Sequence, residues 1–357
     1  GDKMSLREVE ETKESIIRRL EILGEIQDYR WDPDSSKLVA YSGIRDTLKL
    51  PDIFEVISSY AFENNQILKH IVLNKSLKYI NKHAFGLCAK LETVRFNEGL
   101  LGVGYGAFQD CLSIQELDIP GTVKELEERA FHGCRQLRKV KFHEGLESIG
   151  NLAFRLTGIE SLELPKSLKE LGALAFSDCR KLTEVICGDG LECVGDGVFC
   201  LCNVLKRVVL PERLTYISES MFGCCYSLED VKLPRNLKLI REFAFSDCKA
   251  LKHIDLPEGL QKIQRGAFIG TALETLTLPE GLQKIGKRAI DNCPLKTLCV
   301  KTTKISLKNL IEAFGNYLIA NPKITIHLRK ELKWHEKEYY NQLKEKDIRN
   351  IKIVFNL

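Results

Sequence analysis

A phenylalanine returns every 23 residues through most of this 357-residue chain, and that period limits the fold more than any local propensity does. The anchors are Phe62, Phe85, Phe108, Phe131, Phe154, Phe176, Phe199, Phe222, Phe245 and Phe268, with Ile290 in the next register. Two intervals, Phe154 to Phe176 and Phe268 to Ile290, measure 22. Ala usually precedes the anchor and Cys follows three positions on, as in Ala244-Phe245 and Cys248. A unit of this length cannot bury its own apolar face, so neighbouring units must stack into a solenoid.

After the Cys comes an L-x-x-L-x-L run, as in Leu251, Ile254 and Leu256. Its alternation predicts a short strand with apolar residues inward and the residues between them on the concave face. A corner follows, as in Pro257-Glu258-Gly259-Leu260, and then a second apolar residue, Ile263. Proline has no N–H for a sheet ladder, so Pro120, Pro165, Pro211, Pro234, Pro257 and Pro279 should turn the chain at one corner of successive rungs. A degenerate unit, Leu50-Pro51, Phe54, Ile57 and Ala61-Phe62, places the start of the array near residue 48. Ten or eleven rungs over residues 48–300 would form a ladder roughly 50 Å long at about 4.8 Å per strand. The two short units carry Thr157 and Thr271 in place of Cys, which predicts a tightened corner with the hydroxyl bonded to backbone.

An open solenoid needs caps. Residues 1–47 supply a helix with Ser5 as N-cap, Glu8 in the capping-box position and Gly24 as C-cap, then a strand at Leu38 to Tyr41. Residues 301–357 read as a small α/β cap: helices at Leu307 to Leu318 and Glu331 to Leu343, strands at Ile324 to Leu328 and Ile351 to Phe355. The whole is a β-rich α/β leucine-rich-repeat solenoid with a parallel sheet.

The unit A-F-x-x-C-x-x-L-x-x-V-x-L-P-x-x-L-x-x-I-x-x-x-A-F resembles the BspA-like class of bacterial leucine-rich repeats over roughly residues 48–300. The resemblance implies the solenoid fold, a protein ligand or adhesion partner, and a cell-surface or secreted location. No secretory signal stands in the given residues, which begin Gly1-Asp2-Lys3, and thirteen cysteines fit a reducing compartment, so a cytoplasmic location is the alternative. No run of about 18 apolar residues predicts a membrane-spanning helix.

Charge separates the function classes. The net formal charge is only +4 with 29% charged residues, too balanced for a dedicated nucleic-acid binder. The cap at 301–357 nevertheless holds 12 Lys and Arg against 6 Asp and Glu, which makes contact with an anionic surface or nucleic acid the second reading. Eight cysteines, Cys88, Cys111, Cys134, Cys179, Cys202, Cys225, Cys248 and Cys293, share one repeat position, so they should pack as small apolar residues. The denser group Cys187, Cys193, Cys200, Cys202, Cys224 and Cys225 is the one zinc or thiol alternative, with Cys187, Cys193 and Cys200 expected nearest solvent. It lacks paired C-x-x-C elements, so no metal or cofactor is expected. No nucleophile elbow, phosphate loop or H-E-x-x-H motif stands in a supporting context, and the chain is read as non-enzymatic. Binding candidates are therefore the outward strand positions of the concave face: His70, Thr93, Glu116, Lys139, Glu184, Arg207, Asp230 and His253.

Overall fold

The computed structural model describes residues 11–319 and 323–357. Helix α1, Lys13–Ile22, starts at Thr12, whose Oγ1 accepts the Ser15 N–H at 3.2 Å. The expected cap at Ser5 and Glu8 lies outside the described residues. At the other end Gly24 takes φ +69°, and the Gly24 and Glu25 N–H groups donate to the Glu21 and Leu20 carbonyls at 3.1 and 2.9 Å. This is a Schellman termination, for which a residue without Cβ is best suited.

Beyond a hairpin of Tyr29–Asp32 against Lys37–Tyr41, the chain coils through about 14 turns. That exceeds the ten or eleven rungs read from the repeat, because the C-terminal strands continue the ladder. Thr275–Leu278, Thr297–Val300, Ile324–Leu328 and Ile351–Phe355 form one parallel sheet. The two connections between its last three strands are helical, with α2 at Leu307–Phe314 and α3 at Glu336–Glu345 each joined to a 3-10 turn.

Each rung has two flat sides. The L-x-x-L-x-L run forms a first wall, whose parallel strands include His70–Val72, Glu116–Asp118, Glu184–Ile186 and Arg207–Val209. The apolar residue after the corner builds a second wall, which the repeat pattern does not show as a strand. Its strands are two residues long, from Val56–Ile57 to Lys284–Ile285, and the hairpin residues Lys37–Tyr41 pair onto its first strand. The strand expected at Leu38 to Tyr41 thus begins the second wall, while the first begins at Thr47–Lys49. One expectation fails: the segment 251–256 has no strand, so His253 does not sit on a sheet and the first wall is interrupted there.

Between the walls and the back corner lies a continuous core. The anchor rings stack from Phe62 to Phe268 with centroids 4.7 to 6.1 Å apart, and Tyr41 stacks on Phe62 at 5.2 Å. Most intervals are 5.3 Å or less; Phe176–Phe199 and Phe199–Phe222 open to 6.1 and 5.8 Å. In those rungs Val198 and Met221 replace the Ala that elsewhere precedes the ring. Small residues let the rings approach; larger ones hold them apart. Each anchor N–H donates to the carbonyl of the next rung's preceding residue, as Phe85 to Ala107 at 2.7 Å. Two positions per rung adopt left-handed backbone, for instance Tyr60 and Asn64, or His83 and Leu87. That conformation aims the Asn64 and Leu87 N–H groups at the next rung's Gly86 and Gln109 carbonyls, 2.8 Å away.

Candidate functional site

The strand positions singled out in sequence lie on the first wall, with His253 beyond its broken edge. Their charges are largely spent on one another. His70 Nδ1 lies 2.8 Å from Thr93 Oγ1 and its Nε2 is 3.7 Å from Glu92. Glu116 pairs with Arg138 at 2.8 Å, and Arg207 reaches Glu184 at 3.2 Å and Asp230 at 3.6 Å. His253 bonds Asp255 within its own rung at 2.9 Å. Lys139 is exposed and stands opposite Glu116 in the strand register. Exposed pairs of this kind contribute about 0–1 kcal/mol each, and only a small hollow of about 300 Å³ opens beside Arg207 and Asp230.

The second wall differs. A trough of about 760 Å³ runs across it, lined by Glu125, Glu127, Glu128 and Glu170 with Tyr105 and Arg241 among the outermost rungs. Its floor is bare because Gly150, Gly172 and Gly195 follow the buried residue of successive strands. A Cβ at any of the three would run into the backbone of the preceding rung, at Glu128, Asn151 or Ala173. Among the described residues Glu125, Glu127, Glu128 and Glu170 make no ion pair; Asp196 alone of the trough's acids has one, to Arg241 at 3.9 Å. Tyr105 extends into a small ring cluster, with His83 at 5.4 Å, Tyr60 stacked on His83 at 5.7 Å and Lys82 Nζ 5.5 Å over Tyr105. The L-x-x-L-x-L columns do not reveal this trough; its sequence signal is the glycine column after the second apolar position, Gly150, Gly172 and Gly195.

A wider cleft of about 1780 Å³ lies between α1 and the first rungs. Its charges are of both signs, and Arg19 and Arg45 are paired with Glu11 and Glu25.

The repeated thiols are core. All eight are free and at most 1% exposed. They do more than fill space: each Sγ–H donates to the carbonyl of the previous rung's anchor, from Cys293 to Phe268 at 3.0 Å to Cys179 to Phe154 at 3.3 Å. In the shortened rungs Thr157 Oγ1 donates to the Phe154 carbonyl at 2.9 Å, as expected, whereas Thr271 Oγ1 contacts Cys293 Sγ at 3.1 Å. Of the cysteines expected near solvent, Cys193 is exposed and Cys200 half-buried, but Cys187 is buried. It occupies the strand-end position that Leu164 and Leu210 hold in neighbouring rungs, and burial pushes its thiol up to about 12. No three His, Cys, Asp or Glu side chains converge on a metal position among the described residues.

Parallel strands on one side of stacked 23-residue rungs, with an anchor ladder at the back, define a leucine-rich-repeat solenoid. The chain belongs to the BspA-type leucine-rich-repeat family, whose model matches in six copies over residues 55–183 and 170–296. Among solved structures, a leucine-rich repeat protein from Bacteroides ovatus is 22% identical, with 89% of this chain and 87% of that one covered and a TM-score of 0.54. That likeness concerns the fold. The T. pallidum leucine-rich repeat protein TpLRR is 24% identical over 62% of this chain and 86% of its own, TM-score 0.41. The pneumococcal vaccine antigen PcpA is 20% identical over 87% and 79%, TM-score 0.46. No curated protein matches the chain. Proteins of this repeat class are in general protein-interaction scaffolds, and no helix among the described residues is long and apolar enough to cross a membrane.

Proposed function

We propose that this chain is a non-enzymatic interaction scaffold that receives a Lys/Arg-rich polypeptide segment in the trough of its second wall. The observation that carries the reading is the contrast in charge pairing. The first-wall carboxylates Glu116, Glu184 and Asp230 have arginines beside them, whereas Glu125, Glu127, Glu128 and Glu170 face one concavity without an ion pair, the Arg241 in its lining being taken by Asp196. Like charges lining a concave surface concentrate negative potential there, and a cationic segment relieves it.

Calorimetric titration with a ten-residue Lys/Arg-rich peptide at low and high salt tests the reading. Binding should weaken steeply with salt and be lost in a Glu125→Gln, Glu128→Gln, Glu170→Gln variant, yet survive Arg207→Glu. Equal binding by wild type and the trough variant would sink it. Loss through Arg207→Glu alone would move the interface to the first wall, where His70, Thr93, Glu116, Lys139, Glu184 and Asp230 lie.

The basic cap supports the second reading, contact with an anionic surface or nucleic acid, through its 12 Lys and Arg against 6 Asp and Glu over residues 301–357. Retention on an anionic vesicle or duplex that falls with salt, and with charge reversal of Lys333 and Lys337, would favour it. Adhesion and a surface location rest on the family alone and are tested by fractionation of the producing cells.

A further inference from the structure

Successive rungs are zipped together in three places: the first wall, the second wall and the Phe corner. Between the rungs of Leu171 and Val194 the second wall contributes backbone bonds from Glu192 and Cys193 to the Lys169 carbonyl, at 2.9 and 3.0 Å, and from Gly195 to Leu171 at 2.7 Å. Between the rungs of Ile217 and Ile240 the same three recur, from Lys238 and Leu239 to Thr215 at 2.8 and 3.3 Å and from Arg241 to Ile217 at 3.0 Å. Between Val194 and Ile217 they are gone. The nine-stranded sheet ends at Cys193–Val194 and a separate four-stranded sheet begins at Tyr216–Ile217.

Two side-chain hydroxyls fill the gap. Tyr216 Oη accepts the Val194 N–H at 2.8 Å and donates to the Val194 carbonyl at 3.1 Å, so a phenol takes both groups of one strand residue. Ser218 Oγ donates to the Gly195 carbonyl at 2.8 Å. The first wall is unbroken at this level, with Glu184, Arg207 and Asp230 in register. The Phe corner also stays bonded, Phe199 N–H to Met221 carbonyl at 3.0 Å, but its rings stand 5.8 Å apart.

We propose that this seam is a built-in flexion point, about which the two halves of the solenoid hinge on the intact first wall, with the Tyr216 hydroxyl as the latch of the second. A hydroxyl hydrogen bond contributes about 1 kcal/mol net and is replaceable by water without moving the chain. Because these hydroxyls ride on side chains that can rotate to follow a parting strand, the second wall can open here without distorting the main chain of either rung, as opening a strand ladder would require. The trough crosses the seam, with Cys193 and Val194 on one side and Tyr216 and Arg241 on the other. The Arg241–Asp196 pair reaches across the intervening rung as an outer strap. Hinging widens or narrows the trough whatever occupies it, so the inference stands apart from the partner proposed above.

Residue-resolved amide exchange on the whole chain tests it, comparing wild type with Tyr216→Phe and, as a milder change, Ser218→Ala. The Val194 amide should exchange about tenfold faster in Tyr216→Phe, while Lys206, whose N–H donates to the Thr183 carbonyl across the first wall of the seam, and Leu239 at the next interface keep their protection. An unchanged Val194 amide would show that the hydroxyl is no latch. Equal loss at Val194 and Lys206 would show the interface melting as a unit rather than hinging. New protection at Thr215, Tyr216 and Ser218 would mean that the phenol wedges apart strands that otherwise pair, which also overturns the proposal.

Discussion

Cysteine at the third position after the anchor is chosen for size and for its weak S–H donor together. A thiol fits between stacked rungs and donates to an anchor carbonyl whose other lone pair is engaged by backbone, as Phe85 receives both Cys88 N–H and Cys111 Sγ. Thiol-specific labelling of the native protein near neutral pH should modify Cys193 first and leave the nine buried cysteines untouched until denaturant is added. Rapid native labelling at the repeat position would contradict this packing. Burial raises two of these thiols, Cys293 to about 11 and Cys187 to about 12, from an ordinary 9.0. A group raised on folding stabilises fully below its unfolded value and loses that contribution as pH climbs toward the folded one. The melting temperature should therefore decline from about pH 9 upward, and Cys187→Val should reduce that decline. An identical alkaline profile in the variant would refute the assignment.

At the scale of the rung, glycine and left-handed backbone set how closely neighbours approach. Gly150, Gly172 and Gly195 are required by proximity, since a Cβ at each meets the preceding rung's main chain. Gly172→Ala should destabilise by about 1–3 kcal/mol in urea unfolding, because the added methyl has backbone rather than a movable side chain against it. Ser148→Ala, one rung away at the strand's outward position, should stay within about 0.5 kcal/mol. If the two variants unfolded alike, the floor of the trough would be wider than the structure has it. The left-handed positions after the anchors carry Asn64, Asp110, Gly133, Asp247 and Asn292 in several rungs, the residue types that tolerate this conformation best. Leu87 and Leu201 adopt it too, held by the N–H bond each makes to the next rung.

Across the whole molecule, stability is a sum over neighbouring rungs, and the anchor ladder is what they share. Phe131 is fully buried, with Phe108 and Phe154 each 5.2 Å away. Phe131→Ala should cost about 3–5 kcal/mol, and amide exchange should localise the loss to the adjoining rungs rather than spread it to both ends. A uniform loss of protection would mean that the solenoid unfolds as one block.

The repeat alone determined the class of fold, the anchor ladder and the buried thiols, because each depends on which residues recur at one period; the strands of the C-terminal cap were legible from local alternation. Strands Ile324–Leu328 and Ile351–Phe355 fall at the expected residues, since alternation over five positions is a local signal. The second wall was not legible: two-residue strands have no alternation to show, and they exist through bonds to residues 23 positions away, as Tyr79 lies opposite Gly102. Tertiary structure likewise decided which carboxylates are neutralised and which are bare, the loss of strand at His253, and the seam at Tyr216. Each of these turns on distances of a few ångströms between rungs, and the repeat pattern carries no term for that.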